Sequence, residues 1–354
     1  MKILHTADIH LREYGDKRWK ALQDLITIGK NEKIEVFAIS GDLFDRDVNA
    51  DDLRPKIREL FSNNGFKIVI VPGNHDSESY IGGKYFGEDV TVLTDLDKPF
   101  EYKDVNFWGF PFKLLDGREI LNALHSLSHK LSAEKKNILL YHGELLDAVF
   151  SKKDFGEENE TSYMPVKLSY FRDLNFEYVL AGHFHTKFDV WKLENGGYFV
   201  YPGSPISITK RETGRRKINI FEVGKPPQEH PIDTPYYEEV VIEFNPLSKE
   251  NPLDIVKKTL EGISRNANII LTIRGYVDFK DKTENEFAKE IKNIVKDRCA
   301  TDDDLRLEFK DIHNILEDDL FRRFLKKVEE KDYDEEKKKE LIELTLRAMA
   351  DTRL

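Results

Sequence analysis

The feature that most constrains this chain is a series of short apolar runs, several of which stop at Gly, Asp, His or Asn. They occupy residues 2–5, 36–40, 68–71, 138–141, 178–181, 198–201 and 218–221. Runs this short, rich in Val, Ile and Phe, read as strands buried on both faces. Between the first of them, Trp19, Leu22, Leu25 and Ile26 recur at helical spacing, as do Leu53, Ile57, Leu60 and Phe61. Strand–helix alternation predicts an α/β fold with parallel pairing, and later strands on short connections predict a second sheet packed on the first. The expected fold class is therefore α/β, a two-sheet sandwich flanked by helices.

A chain of 354 residues exceeds what one core usually supports. Gly224-Lys225-Pro226-Pro227, followed by Pro231 and Pro235, marks a linker. The division expected is 1–232, then a small α+β domain over 233–300, then a C-terminal helical tail over 301–354. In the tail, Leu320, Phe321, Phe324, Leu325 and Val328 form one stripe, and Leu341, Leu344, Thr345 and Ala348 another. Two amphipathic helices of this kind need a partner surface, or their own domain, to cover their apolar faces.

The balance of 55 basic and 66 acidic residues gives a net charge of −11, which excludes a generally basic nucleic-acid binder but leaves room for a local basic groove. The single cysteine, Cys299, excludes a disulfide within the chain and points to a reducing, cytoplasmic compartment. No apolar run reaches 18 residues, and no signal-peptide pattern is visible.

Five fragments fall at or just after predicted strand ends: Asp8-Ile9-His10, Gly41-Asp42, Gly73-Asn74-His75-Asp76, His142 and Gly182-His183-Phe184-His185. Loops at strand C-termini converge in α/β sheets. Two carboxylates, an amide oxygen and several imidazoles without thiolate suit a pair of divalent ions of the Mn, Fe or Zn kind. Any one fragment is weak evidence; all five in this order are strong. His125 and His129 lie four apart on a predicted helix with no third donor nearby, so an exposed face is expected. His5 and His313 read as packing or surface histidines.

The order of these fragments resembles that of the calcineurin-like metallophosphoesterases. The resemblance implies that Asp8, His10 and His185 hold one metal, that Asn74, His142 and His183 hold the other, and that Asp42 bridges them. It implies that His75 is a catalytic proton donor or phosphorane stabiliser, and that Asp45 pairs with it, although a turn role for Asp45 stays open. The strings Met1-Lys2-Ile3-Leu4-His5-Thr6-Ala7-Asp8-Ile9-His10-Leu11, Gly41-Asp42-Leu43-Phe44-Asp45 and Tyr201-Pro202-Gly203-Ser204-Pro205 further resemble the SbcD and meiotic-recombination-eleven type nucleases of DNA double-strand-break repair.

That narrower resemblance implies two Mn(2+) ions, with Mg, Fe or Zn as alternatives. It also implies 3′-to-5′ exonuclease action on duplex DNA and endonuclease action on single strands. A DNA-capping role for 233–300 follows, as do homodimerisation and binding of an SbcC or radiation-sensitive-fifty type coiled-coil ATPase through the C-terminal helices. The helix carrying Leu53–Phe61 is a candidate dimer face, or equally an internal one. DNA contacts are weakly specified: Arg12, Lys210, Arg211, Arg215 and Arg216 are candidates, set against plain salt bridges or a solvated hairpin. Tyr14 and Tyr80 are either base-stacking or packing residues. The acidic segment 150–164 is expected to be a loop near the site. The alternatives are a small-molecule phosphodiesterase, a Ser/Thr phosphoprotein phosphatase, or a non-catalytic DNA tether.

Overall fold

The computed structural model describes all residues except 83, 149–162, 246, 247, 249, 280, 281, 353 and 354. The expected 150–164 loop therefore lies outside the described residues, apart from Tyr163 and Met164. The chain divides into two compact units, Met1–Tyr236 and Tyr237–Leu354.

In the first unit, β1 (Lys2–Thr6), α1 (Lys17–Asn31), β2 (Val36–Ser40), α2 (Ala50–Phe61), β3 (Lys67–Val71) and β4 (Val90–Val92) alternate as the sequence predicts. They are followed by β5 (Phe100–Tyr102), β6 (Val105–Phe110), α3 (Gly117–Ser128), β7 (Lys136–His142), β8 (Tyr178–Gly182), β9 (Asp189–Lys192), β10 (Tyr198–Tyr201), β11 (Lys217–Glu222) and β12 (Glu229–Pro231). Among the described residues these form two six-stranded sheets, in the orders β12-β11-β1-β2-β3-β4 and β5-β6-β7-β8-β10-β9. The central pairs β1–β2, β2–β3, β6–β7 and β7–β8 are parallel.

Side-chain alternation explains why the strand runs are continuously apolar. Ile3, Val36, Ala38, Val69 and Val71 point between the sheets, where they meet Phe107, Ile138, Leu140 and Leu180. Their neighbours Leu4, Phe37, Ile39, Ile68 and Ile70 face outward and are covered by Leu22, Leu25, Ile57 and Phe61. On the other sheet, Trp108, Leu139 and Val179 are covered by Ile120, Leu124 and Leu127 of α3. Both faces of each sheet are thus dry. Leu53, Ile57 and Phe61 belong to this internal core, so the candidate dimer face on α2 is an intramolecular one. His125 and His129 are exposed, as expected.

The second unit contains β13 (Tyr236–Phe244), α4 (Pro252–Glu261), β14 (Ala267–Val277), α5 (Glu284–Val295) and β15 (Leu305–Asp311), with sheet order β13-β14-β15. Ile242, Phe244, Leu271 and Ile273 of the sheet pack with Val256, Leu260, Phe287 and Ile291 of the two helices. The sheet of this unit runs past residue 300, where the sequence suggested a boundary. β15 pairs in parallel with β14, from Leu271 opposite Leu305 to Val277 opposite Asp311, so the small sheet extends eleven residues past it. Then come α6 (His313–Leu316), α7 (Asp319–Glu329) and α8 (Glu335–Thr352). Phe321 of α7 packs with Leu346 and Ala350 of α8, supported by Ile312 and Ile315. On α8, Leu346 and Ala350 are buried and Ile342 and Met349 partly so, whereas in the stripe read from the sequence Leu344 and Ala348 are exposed and Leu341 and Thr345 half-buried.

Candidate metal centre

All five fragments lie at the C-terminal ends of parallel strands. Asp8 and His10 follow β1, Asp42 follows β2, Asn74 and His75 follow β3, His142 ends β7, and His183 and His185 follow β8. The first two loops are tied together by backbone bonds from Ile9 and His10 amides to the Asp42 carbonyl, both 2.9 Å. Asp76 fastens the third loop to the second. It accepts from the Gly73 amide at 2.8 Å, the Leu43 amide at 2.8 Å, the Phe44 amide at 3.2 Å and the Tyr80 hydroxyl at 3.0 Å. Burial and the neighbouring Asp42 charge push its carboxyl up to about 6.

The glycines of these fragments have steric reasons. A Cβ on Gly41, whose φ is +88°, would lie 2.0 Å from His142 Nδ1; one on Gly182 would lie 1.9 Å from the Ser40 carbonyl oxygen. Only hydrogen fits where the two sheets bring their loops this close. Asp8, His10, Asp42 and His183 themselves take positive φ, at 55°, 51°, 53° and 100°. Non-glycine residues rarely hold that conformation unless their surroundings impose it, and such residues cluster at functional sites.

The donors meet. One donor atom from each of Asp8, His10 and His185 lies within 4.8 Å of the others, and the same holds for Asp8, Asp42 and His142. Asp42 stands between the groups: its Oδ2 is 3.3 Å from His142 Nε2 and 3.7 Å from His10 Nε2. His142 Nε2 is 2.8 Å from Asn74 Oδ1, and the His142 and His183 rings are 5.4 Å apart. Asp8 and Asp42 are fully buried, and His10, His142, His183 and His185 are nearly so. Asp42 Oδ2, though buried, has no well-formed hydrogen bond. A buried carboxylate oxygen without a hydrogen bond, ringed by imidazole nitrogens that can themselves coordinate, fits a cation.

The electrostatics agree. Burial pushes the Asp8 carboxyl up against the pull of His185 and His142. Burial also raises Asp42, but the charge of His142, with those of His10 and His75, outweighs it and holds the carboxyl well below the usual range. Burial lowers His142, yet Asp42 and then Asp8 raise the imidazole to about 9. These groups are drawn together strongly enough to perturb one another, as at sites built to bind or react.

Around the donors lies a supporting layer. Asp45 Oδ1 is 3.3 Å from His75 Nδ1 and 3.6 Å from His10 Nδ1; its Oδ2 accepts from Arg12 at 2.5 Å and Arg18 at 2.7 Å. Burial raises Asp45, but its bonds to His10, His75 and Arg18 more than offset this and hold it far below the usual range. Asp45 therefore faces His75, and it also serves His10. Sequence reasoning missed Arg18, which additionally donates to the His10 carbonyl at 2.5 Å, and Glu144, whose Oε1 lies 4.0 Å from His183 Nε2. It also missed Glu212, fully buried, with Oε1 3.4 Å from His185 Nδ1. Burial raises Glu212, and the His185 hydrogen bond and charge bring it down to about 2.

Of the basic cluster after Pro205, Lys210, Arg211 and Arg215 are exposed. Arg216 is not available for DNA: it is 2% exposed and donates to the Ser204 carbonyl at 3.0 Å and to the His185 carbonyl. Four basic residues in seven read as one charged patch, but β11 begins at Lys217 and draws the arginine before it inward. Tyr80 is likewise a packing residue, bonded to Asp76, whereas Tyr14 is exposed against Trp19.

Residues 1–187 match the family model described as Calcineurin-like phosphoesterase, which covers both sheets' ligand-bearing strands. The chain belongs to the calcineurin-like phosphoesterases. As a phosphoesterase of that family it has the two-sheet metallophosphoesterase fold, which carries a two-metal centre, and the donor set just described fits one. The phosphoesterase is 38% identical over 88 residues to the SbcD component of the nuclease SbcCD from Bacillus subtilis (strain 168), a match covering 22% of each chain. Solved structures similar in fold include a dimetal phosphatase from Danio rerio, with 11% identity and TM-score 0.43, covering 62% of this chain and 91% of that one. Another is a 5′-nucleotidase precursor from Thermus thermophilus, with 16% identity and TM-score 0.38, covering 66% and 54%. Among the described residues no helix of the phosphoesterase is long and apolar enough to cross a membrane.

Proposed function

We propose that this phosphoesterase is a manganese-dependent DNA nuclease acting at double-strand breaks, with 3′-to-5′ exonuclease activity on duplex ends and endonuclease activity on single strands. The observation that carries the reading is the complete donor set, including both histidines of Gly182-His183-Phe184-His185, in a chain that continues into a second folded unit. A small-molecule phosphodiesterase needs no such extension. The partial match to a bacterial nuclease component supports the same choice.

In this reading Asp8, His10 and His185 hold one cation, Asn74, His142 and His183 the other, and Asp42 both. Bound there, divalent ions supply positive charge to the phosphodiester oxygens and make water a nucleophile near neutral pH. The protein contributes the rest. His75, with Nδ1 against Asp45, delivers a proton from its other nitrogen to the departing sugar oxygen. Arg18 fixes Asp45, and Asp45 fixes the ring. Arg12, its side chain 62% exposed, can leave Asp45 for a phosphate, and Lys210, Arg211 and Arg215 hold the backbone of the strand without reading its sequence. The second unit caps the DNA, and the α7–α8 pair docks on a coiled-coil ATPase of the SbcC type.

The test is linear duplex DNA incubated with the purified chain and manganese. Progressive degradation from ends that chelation stops is expected, and Asp8→Asn should lower metal occupancy at one position. Turnover of only a phosphopeptide or a cyclic nucleotide would select the phosphatase or small-molecule alternative.

A further inference from the structure

His185 is gripped at both ends by residues of the segment from Ser204 to Arg216. Its backbone carbonyl accepts from the Ser204 amide at 3.0 Å and from the buried Arg216 guanidinium. Its imidazole Nδ1 faces Glu212 Oε1 at 3.4 Å. The Glu212 carboxylate is itself fixed: it accepts from the Ile208 amide at 2.8 Å, the Thr209 amide and hydroxyl at 3.1 Å each, and the Ser204 hydroxyl at 3.2 Å. Arg216 meanwhile directs its donors to the carbonyls of Ser204, His185 and Glu212. The carboxylate is wholly inside the protein, and the ring nitrogen it faces is the one opposite Nε2, which points at Asp8 Oδ1 from 3.7 Å.

That geometry has a chemical consequence. A carboxylate on one imidazole nitrogen fixes the tautomer, orients the ring and makes the other nitrogen a stronger donor. Asp45 Oδ1 lies on the Nδ1 side of His10 too, but at 3.6 Å, beyond hydrogen-bond reach. His142 Nδ1, by contrast, faces the Ser40 carbonyl oxygen at 2.8 Å, a neutral partner.

We propose that Glu212 is a positioning residue for the Asp8–His10–His185 half of the centre, orienting the His185 imidazole and strengthening its Nε2 as a cation donor. The proposal rests on the two-cation reading above. It places a determinant of metal affinity 27 residues from the nearest ligand in sequence, in a turn that follows Ser204.

The experiment is manganese titration of the full chain by calorimetry, with bound metal counted by mass spectrometry, for the wild type, Glu212→Gln, His185→Ala and the double variant. The expected result is two ions for the wild type and a roughly 10–100-fold weaker dissociation constant for one of them in Glu212→Gln. On the His185→Ala background the glutamine should add no further loss, because the carboxylate acts through that ring. Glu212→Asp, which keeps the charge but withdraws it, should fall between wild type and Glu212→Gln, and serves if the glutamine variant does not fold. Unchanged affinities in Glu212→Gln, or an equal further loss without His185, overturn the proposal. A wild type that binds fewer than two ions instead overturns the two-cation reading itself.

Discussion

His75 illustrates how a motif residue is assigned by what surrounds it. It follows the donor Asn74, its amide donates to Asp42 Oδ1 at 2.9 Å, and its ring lies against Asp45. A proton donor should be removable without losing the cations. His75→Ala is expected to keep two bound ions and to lose about 10²–10⁴-fold in hydrolysis, read by metal counting beside turnover. Loss of metal with the ring would make it a ligand instead. His5 makes a different prediction. It is fully buried, bonded to Ser40 Oγ at 3.1 Å, and burial lowers its pKa to about 3. The unfolded chain takes up that proton near pH 6.5, so stability from this group is whole above pH 6.5 and declines toward pH 3. In the metal-free protein the unfolding free energy should drop about 1.4 kcal/mol per pH unit more steeply for wild type than for His5→Leu across that window. Denaturant melts at three pH values suffice, and parallel slopes would refute it. Asp8, His10, Asp42 and the paired histidines were legible because each sits beside a glycine or a strand end. Glu212 and Arg18 were not: they reach the site only through the fold, and an isolated acid or arginine in a charged sequence carries no mark.

At the level of elements, the strands were readable because burial on both faces leaves no polar residue to interrupt them. β15 was missed: Leu305, Leu307 and Phe309 alternate with charged residues, the pattern of a strand covered on one side only. α8 offers two apolar stripes, Leu341/Leu344/Thr345/Ala348 and Ile342/Leu346/Met349/Ala350, and periodicity cannot rank them. Contact with α7 decides, covering the second. The stripes should therefore respond differently to substitution. Leu346→Ala, at a fully buried site, is expected to cost about 2–5 kcal/mol by denaturant unfolding. Leu344→Glu, at a position 56% exposed, should leave stability within about 0.5 kcal/mol and metal-dependent cleavage intact. It should, however, abolish capture of the coiled-coil ATPase; undiminished capture would remove that face from the proposed interface.

For the whole molecule, the candidate centre draws donors from both sheets of the first unit and none from the second. A cation bound there takes its protein donors from the first unit. At free manganese 100-fold above the dissociation constant, each site adds about 2.7 kcal/mol. Calorimetry should show the transition of residues 1–236 rising with manganese and falling back with chelator, while that of residues 237–354 stays in place. A shift of both together would mean that the units unfold as one.

Asp8, His10, Asp42 and His183 hold left-handed backbone angles, at about 1–2 kcal/mol each. Protein groups impose them: the Ile9 and His10 amides bind the Asp42 carbonyl, and the His183 amide binds the Asp8 carboxylate. The framework's own hydrogen bonds thus brace the cage. With donors braced in this way, the choice among competing metals falls to how readily each sheds its water and how well it tolerates an all-nitrogen-and-oxygen shell.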